Sequence, residues 1–327
     1  ANTGLAASGS AQPHARPRPG LLSGRIPTGI RMCSVLVLLF SISLVPPALV
    51  AVQFGETQVH TFLNAMLALV AAGVGGLLAT RHNSTPLRQR DGFLVVVLFW
   101  VVFAACGAVP FVMDPGIHLR LVDAMFESVS GITTTGASVL SGLDAQPRSI
   151  IYYRAQLNFL GGLGIVVLAM ALLPYLGVGG AQLYQSETPG PMKEDRMTPR
   201  LADTAKSLWL IYSGITLVCA LAYHLAGVPW FDAVCYAMST ISLGGFSTHD
   251  ASLGYYDSAA VEIVGGTFFL LAAANFALYF RMIQSRSLRP WLNDVEFRFF
   301  LSVFAIVAAI TIVSLWAAGT FPAHESA

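Results

Sequence analysis

Long apolar segments alternate with short polar ones along most of this chain. Seven apolar stretches have charged or turn-forming residues on both sides, and each has the roughly 20 residues that an α-helix needs to cross the hydrocarbon core of a bilayer. They cover residues 33–52, 61–80, 93–112, 157–176, 208–227, 261–280 and 299–319. The pattern therefore predicts an all-α integral membrane protein.

The composition excludes most other classes of protein. Hydrophobic residues make up 55% of the chain and charged residues only 11%, whereas soluble domains carry about 25% charged residues. The four cysteines lie apart, with no CxxC or histidine-rich spacing for a metal or a disulfide framework. The spans contain no HExxH or GxSxG pattern, so we expect no enzyme and no cofactor. A formal net charge of +1 gives no reason to expect nucleic-acid binding.

The N-terminal region combines a polar tail with a proline-containing span. Residues 1–30 are rich in Pro, Arg, Gly and Ser, a composition that cannot bury a core and predicts disorder. The tail and the first span could also form a secretory signal, but an apolar run near 20 residues exceeds the usual 7–15 of a signal core. We therefore predict a transmembrane helix that is kinked or ended by Pro46 and Pro47.

The charges predict which side of the membrane each loop occupies. Lys and Arg accumulate in cytoplasmic loops, and here they precede span one, follow spans two and four, and lie between spans six and seven. Only Arg120, Arg148 and Arg154 are left for the other side. The N-terminus is therefore expected in the cytoplasm, and the outer side is expected to be acidic and to attract cations.

A repeat is visible when residues 123–138 are aligned without gaps on residues 232–247. Six of the sixteen positions are identical at an offset of 109. Each copy follows one span and precedes the next, so the repeated unit is a span, a short segment and a span. The two units have the same orientation, as in a parallel repeat.

The short segment is too short to cross the membrane. Residues 121–132 would form a helix of about 18 Å at 1.5 Å per residue, against a core of about 30 Å. The chain must therefore enter and return, and non-helical backbone at that depth must line a wet pathway.

Residues 133–136 and their second copy have the composition of an ion filter. In such a filter, backbone carbonyl oxygens replace the water around a cation. Gly136, Gly244 and Gly245 can adopt the positive φ that this strand needs. Threonine hydroxyls would brace the first strand, while Leu243 would contribute its carbonyl and pack its side chain behind the filter. Taken singly, TTTG and SLGG are ordinary turn sequences, but their occurrence twice in register favours a filter.

Four ionisable residues in or near the spans have competing interpretations. We expect Arg154 and His224 to be structural, with Arg154 near the outer entry of its span, where it can snorkel towards water. Glu127 either supports the filter backbone, contributes to the electrostatic field at the outer side, or is merely solvated. Glu262 is expected to lie at the pore mouth rather than to relay protons. The glycine-rich run at 161–164 is expected to allow close helix packing.

Four sequence runs together resemble one family. They are residues 126–143 (FESVSGITTTGASVLSGL), 160–174 (LGGLGIVVLAMALLP), 176–199 (LGVGGAQLYQSETPGPMKEDRMTP) and 241–257 (ISLGGFSTHDASLGYYD). They resemble the TrkH family, the membrane subunits of bacterial Trk potassium uptake systems, in the Trk/Ktr/HKT superfamily. The resemblance extends over nearly all of residues 31–319.

The resemblance implies a fold and a set of ligands. The fold would have potassium-channel-like membrane-pore-membrane repeats with re-entrant pore helices, placed after two extra N-terminal helices. Backbone carbonyls of Thr134, Thr135, Leu243 and Gly244 would coordinate K⁺ as the transported ion. Gly136 and Gly245 would be the filter glycines.

The resemblance also implies partners and a location. They are membrane lipid, a second copy in a homodimer, and the cytoplasmic nucleotide-binding regulatory subunit TrkA. The location would be the bacterial inner membrane.

The expected organisation follows from the spans and the repeat. We predict a tail (1–30), two extra transmembrane helices (31–92), a first repeat (93–176), a cytoplasmic linker (177–206), a second repeat (207–283), and a linker with the first helix of a truncated third repeat (284–327). Such a chain would hold half a filter and is expected not to conduct alone. The reading frame beyond residue 327 would test this. A non-conducting membrane assembly module and a Na⁺/K⁺ transporter of the same superfamily are the alternative functions.

Overall fold

The computed structural model describes residues 25–81, 91–117, 119–172, 197–287 and 289–318, and the regular structure in these ranges is helical. The helices are α1 (Arg25–Ile42), α2 (Val45–Phe54), α3 (Gln58–Ala79), α4 (Asp91–Met113), α5 (Leu121–Ile132), α6 (Arg148–Leu172), α7 (Met197–Leu225), α8 (Trp230–Ile241), α9 (Ala259–Ala273), α10 (Phe276–Ser285), α11 (Arg289–Leu292) and α12 (Val295–Ala317). Most of the predicted tail, most of the 177–206 linker and residues 319–327 lie outside the described residues.

Four described segments are long and apolar enough to cross a bilayer. They are Gly29–Phe54, Gln58–Ala79, Lys206–Leu225 and Val295–Ala317, and the shorter segments Val97–Met113 and Ala259–Ala273 are also apolar. Many of their large hydrophobic side chains are exposed, including Leu67, Leu217 and Trp316. Such faces are expected of helices whose solvent is lipid.

The first predicted span is kinked at its prolines, which confirms the expectation. Helix α1 ends in two backbone hydrogen bonds to carbonyls three residues back, from Ser43 N to Phe40 O (2.9 Å) and from Leu44 N to Ser41 O (3.2 Å). Pro46 and Pro47 then lie in the first turn of α2, where the missing N–H groups would have no intrahelical partner.

The first hydrophobic cluster holds α5 between α4 and α6. Phe40, Phe62, Phe111, Tyr153 and Leu157 are buried members of this cluster. The Ser128 hydroxyl donates to Ala104 O of α4 (2.7 Å), and the Tyr153 hydroxyl of α6 donates to Gly107 O of α4 (2.9 Å). The first bond ties α5 to α4 and the second ties α6 to α4, so the helices on both sides of α5 are joined to each other.

Helix α6 also contacts the second repeat. The Tyr212 hydroxyl of α7 donates to Phe159 O of α6 (3.1 Å). A Cβ at Gly161 would overlap Ile132 O at the end of α5, and one at Gly162 would come within 2.8 Å of Ser242 Cβ after α8. The close packing expected of this glycine-rich run is therefore confirmed, and α6 lies between the ends of the two short helices.

The sixth predicted span is wrong as a single helix over 261–280. Helix α9 ends at Ala273, Ala274 has extended backbone (ψ 148°), and α10 begins at Phe276. The physical reason is tertiary packing, because Ala274 and Leu278 are buried together with Phe297 of α12. A continuous helix would carry residue 278 away from that cluster.

Candidate functional site

The two 12-residue helices α5 and α8 end in the same turn. After α5, the N–H groups of Thr134 and Thr135 donate to carbonyls three and five positions back, at 3.1 and 2.8 Å. After α8, Leu243 and Gly244 repeat these bonds at 3.1 and 2.9 Å. This is the Schellman arrangement, which satisfies the last helix carbonyls and needs left-handed backbone at the first of the two donors. The repeat found in the sequence is thus also a repeat of backbone geometry.

The backbone alternates in handedness along each loop. We call residues 133–138 the first filter loop and residues 242–247 the second filter loop. Thr134 and Leu243 have φ values of 55° and 57°, and Gly136 and Gly245 have values of 77° and 82°. Thr135 and Gly244, which lie between them, do not have positive φ, so the positive φ expected of Gly244 is wrong, and Leu243 adopts it instead in the turn that ends α8. Such alternation lets neighbouring carbonyl oxygens face one side of a strand, the arrangement of an ion filter.

The two filter loops touch each other. The carbonyl oxygen of Gly244 lies so close to the Cα of Gly136 that a Cβ there would overlap it. Within the described residues, no hydrogen bond ends on the carbonyl oxygens of Thr134, Thr135, Leu243 or Gly244. The two loops are therefore adjacent at Gly136 and Gly244, and in the described residues the four carbonyl oxygens proposed as ligands accept no hydrogen bond.

The structure confirms one of the two expectations for the side chains of the loops. The Thr133 hydroxyl donates to Val129 O (2.7 Å) and lies 2.8 Å from the Thr135 hydroxyl, so the predicted threonine brace is confirmed. Leu243 is 37% exposed within the described residues, and the packing of its side chain behind the filter stays a prediction. Its neighbours Ser242 and Gly244 are buried, and the left-handed turn places Leu243 outside that packed layer.

A buried ion pair supports the strand that leaves the first filter loop. Arg154 Nε lies 2.7 Å from Glu127 Oε1, and the two side chains are 1% and 0% exposed. Glu127 also accepts from the Ser138 hydroxyl (3.0 Å) and from Val139 N (3.0 Å). Of the three interpretations of Glu127, the one seen is support of the loop backbone. The structural role expected of Arg154 is confirmed, but the snorkelling is wrong, because the guanidinium is the partner of a buried carboxylate.

The same guanidinium reaches the second filter loop. Arg154 Nη2 donates to the Ser138 hydroxyl (2.8 Å), and Nη1 donates to Ser247 O (3.3 Å). Its Cζ lies 4.4 Å from the centroid of the Phe246 ring, within the range of a cation–π interaction. The planar fork of arginine allows these contacts at once, so one side chain joins both loops.

The segments that follow the two loops are linked as well. His249 Nδ1 hydrogen-bonds the Asp144 carboxylate, which also accepts from Asp250 N (3.4 Å). In return, the Asp250 carboxylate accepts from Leu143 N (3.2 Å), and the His249 ring stacks on Tyr255 with 3.6 Å between centroids. The hydrogen bond from His249 is the largest cause that lowers the pKa of Asp144 from its usual value.

Two further residues from the sequence analysis lie at this end of the bundle. The His224 ring stacks on Trp230 with centroids 4.0 Å apart, and its Nδ1 lies 3.0 Å from Val228 O. His224 therefore has the structural role that was expected. Glu262 is exposed in the first turn of α9, which suits a mouth residue better than a buried proton relay.

Two contributors to the site escaped the sequence analysis. Asn158 is fully buried and lies between the two short helices. The sequence feature that could have identified it is a polar residue one helical turn after Arg154 within an apolar span. Glu56 accepts from Arg148 N (2.7 Å) and Ser149 N (3.0 Å) at the start of α6. No local pattern indicates this second contact, because the residues are distant in sequence.

Comparisons with known proteins agree with the geometry. Residues 58–321 match the profile of the TrkH family, described as "Cation transport protein". The chain is 46% identical over 295 residues to the Trk system potassium uptake protein TrkG of Escherichia coli (strain K12), covering 90% of this chain and 61% of that protein. It is 47% identical over 287 residues to the Trk system potassium uptake protein TrkH of Halomonas elongata, covering 88% and 60%.

A solved structure is also similar. The crystal structure of the potassium transporter TrkH from Vibrio parahaemolyticus superposes with a TM-score of 0.82 at 39% sequence identity, covering 91% of this chain and 61% of that one. The chain therefore spans about three fifths of the length of these relatives. The likeness supports an all-helical fold with pore-helix repeats.

Proposed function

Because this chain belongs to the TrkH family of cation transport proteins, we propose that it takes part in potassium uptake through the bacterial inner membrane. The observation that carries the proposal is the pair of adjoining loops whose four carbonyl oxygens are left without a hydrogen bond in the described residues. Homologues named as potassium uptake proteins support K⁺ as the ion.

The proposed mechanism is replacement of the ion's water by backbone oxygens. Thr134, Thr135, Leu243 and Gly244 would offer their carbonyls to a K⁺ ion that sheds its hydration shell. The C-terminal ends of α5 and α8, which lead into the loops, would add a partial negative charge. Two strands cannot surround an ion, so we propose that the complete pathway includes further strands from the same polypeptide or from a partner.

We propose that the filter loops open towards the outside of the cell. Asp144, Asp250 and Asp257 are exposed beside the loops, and this acidic surface would concentrate cations. Exposed basic residues lie towards the opposite ends of the helices, which by the positive-inside rule face the cytoplasm. They are Arg81, Lys206, Arg281, Arg286, Arg289 and Arg298.

The cytoplasmic basic surface supports a further part of the proposal. We propose that the assembled protein is a homodimer and that a nucleotide-binding subunit of the TrkA type docks on the cytoplasmic side. The exposed arginines of the 281–298 region would provide contacts for an acidic face of that subunit. Co-purification in the presence and absence of nucleotide tests this part separately from transport.

The central test is potassium uptake in cells that lack their own uptake systems. The product of the complete reading frame should restore growth at low K⁺ and should take up K⁺ faster than Na⁺, whereas the empty vector should not. Absence of uptake, with the protein present in the membrane, would favour the assembly-module function. Equal uptake of both ions would favour a Na⁺/K⁺ transporter.

A further inference from the structure

Asn158 of α6 is a polar residue in the most shielded part of the site. Its side chain is 0% exposed, and it lies one helical turn beyond Arg154. A buried amide within a lipid-embedded bundle must find partners for its donor and acceptor groups. The identity of those partners shows what the residue does.

The amide joins three elements. In the orientation that satisfies both of its ends, the nitrogen donates to Gly131 O (2.9 Å), and the oxygen accepts from Phe246 N (3.2 Å) and from the Ser239 hydroxyl (3.2 Å). Gly131 lies in the last turn of α5, Ser239 lies in the last turn of α8, and Phe246 lies in the second filter loop. One side chain therefore bonds to both repeats.

The amide also lies next to the backbone proposed to bind the ion. Gly131 O, which accepts from Asn158, also accepts from Thr134 N (3.1 Å) in the turn that forms the first filter loop. On the other side, a Cβ at Gly244 would overlap the Asn158 amide. A shift of this amide would consequently move the carbonyls of both loops.

We propose that Asn158 is a positioning residue that fixes the two filter loops relative to each other, and that the K⁺ preference of the pathway depends on its amide. This inference rests on the potassium transport proposed above. Only an amide fits the site, because the position needs a donor towards Gly131 and an acceptor towards Phe246 in one planar group. Ionised aspartate has the same shape but no donor, so N158D either loses the bond to Gly131 or must hold a proton to keep it, and leucine has neither group.

The test compares ion preference in variants of the product of the complete reading frame. Initial K⁺ and Na⁺ uptake rates and the KM for K⁺ are measured in uptake-deficient cells, together with the amount of protein in the membrane. We expect N158D to lower the ratio of K⁺ to Na⁺ uptake about tenfold, which corresponds to the loss of one buried hydrogen bond. The matched control N64D changes an exposed asparagine of α3 and should leave the ratio unchanged.

The ratio separates positioning from stability. A purely structural role would reduce the number of folded transporters and lower both uptake rates in proportion, so that the ratio and KM would stay the same. The milder variant S239A removes one of the three bonds to the amide and should shift the ratio in the same direction by a smaller factor. If N158D does not reach the membrane, the uptake ratio of S239A decides the test.

Each outcome has one meaning. If the wild type takes up no K⁺, the proposed function fails. If the wild type prefers K⁺ and every one of N158D and S239A that reaches the membrane keeps its ratio and KM, the inference about Asn158 is overturned while the proposed function stands. A lowered ratio in N158D or S239A, with N64D unchanged, supports it.

Discussion

Glu127 and Arg154 form an ion pair with 2.7 Å between the carboxylate oxygen and Nε, and neither side chain is more than 1% exposed. Removing two charges from water is costly, and the attraction between them offsets that cost only when the remaining polar atoms are also bonded. Here Ser138, Val139 and Ser247 supply those bonds. The pair therefore contributes to stability and also fixes the backbone at the ends of the two filter loops.

Breaking the pair should destabilise the protein strongly. E127Q leaves a buried guanidinium without its counter-charge, and we expect the free energy of unfolding to fall by about 3–5 kcal/mol. The midpoint of thermal unfolding in detergent measures the effect. R154K keeps the charge but loses the planar fork, so its midpoint should also fall.

The exposed pair between Arg120 and Asp123 provides the matched control. These groups are 3.0 Å apart, but Arg120 is 84% exposed, and exposed pairs contribute little. R120Q should leave the midpoint unchanged. Equal shifts in R120Q and E127Q would show that burial of the Glu127 pair does not matter.

The two filter glycines should differ in their tolerance of alanine. Both have positive φ, which costs other residues about 1–2 kcal/mol. Only Gly136 also has a carbonyl oxygen in the place of a new Cβ, whereas the nearest atom at Gly245 is 4.0 Å away. We therefore expect G136A to raise the KM for K⁺ more than G245A.

A third glycine controls for the substitution itself. Gly75 lies within α3 with no atom within 4 Å of an added Cβ. G75A should leave uptake unchanged and should stabilise the helix by about 0.5–1 kcal/mol. If G136A and G245A had equal effects on the KM, the close contact between the two loops would be wrong.

Acid should weaken the link between the segments after the loops. The hydrogen bond from His249 lowers the pKa of Asp144 below its usual value of 3.8. A group with a lowered folded-state pKa stabilises the folded state above its unfolded pKa, and this contribution is lost as the pH falls through the folded value. The midpoint of D144N should thus lie below that of the wild type at pH 7, and the difference should shrink only below about pH 4.

Repeating D144N in a variant that lacks the His249 imidazole tests whether His249 is the partner of Asp144. In H249Q, which lacks the imidazole, D144N should lower the midpoint less than it does in the wild-type background. A D144N difference that is the same at pH 3 and pH 7 would exclude the carboxylate of Asp144 as its source.

Glu56 should stabilise the start of α6. Its carboxylate accepts from Arg148 N and Ser149 N, two of the N–H groups that a helix start leaves without a partner. Loss of such a cap costs about 1 kcal/mol, so E56A should lower the midpoint of thermal unfolding. E56Q keeps an acceptor but loses the charge that favours a helix start, and it should lie between E56A and the wild type. A midpoint for E56A equal to that of the wild type would contradict the capping role.

Local patterns were sufficient to predict the elements of the site. The bounds of α5 followed from a segment too short for the bilayer, and the kink near residue 44 followed from two prolines. The positive φ at Gly136 followed from the conformational freedom of glycine. Each of these depends on residues close together in the sequence, and so they could be predicted.

The contacts that complete the site are not local. The break at Ala274 depends on burial against Phe297 of α12, and the position of Arg154 depends on a carboxylate 27 residues earlier. The partners of Asn158 lie in both repeats. A polar residue in an apolar span indicated that a partner exists, but the sequence could not identify which one.

The location of α6 has a consequence for biosynthesis. The first repeat carries Glu127 and Arg154 within one stretch of chain, so its loop can form as soon as that stretch leaves the ribosome. The second loop depends on Asn158 and on the backbone of α6, which are made before it. We therefore expect the second loop to reach its final shape only after α6 is in place, and substitutions that disturb α6 should affect both loops.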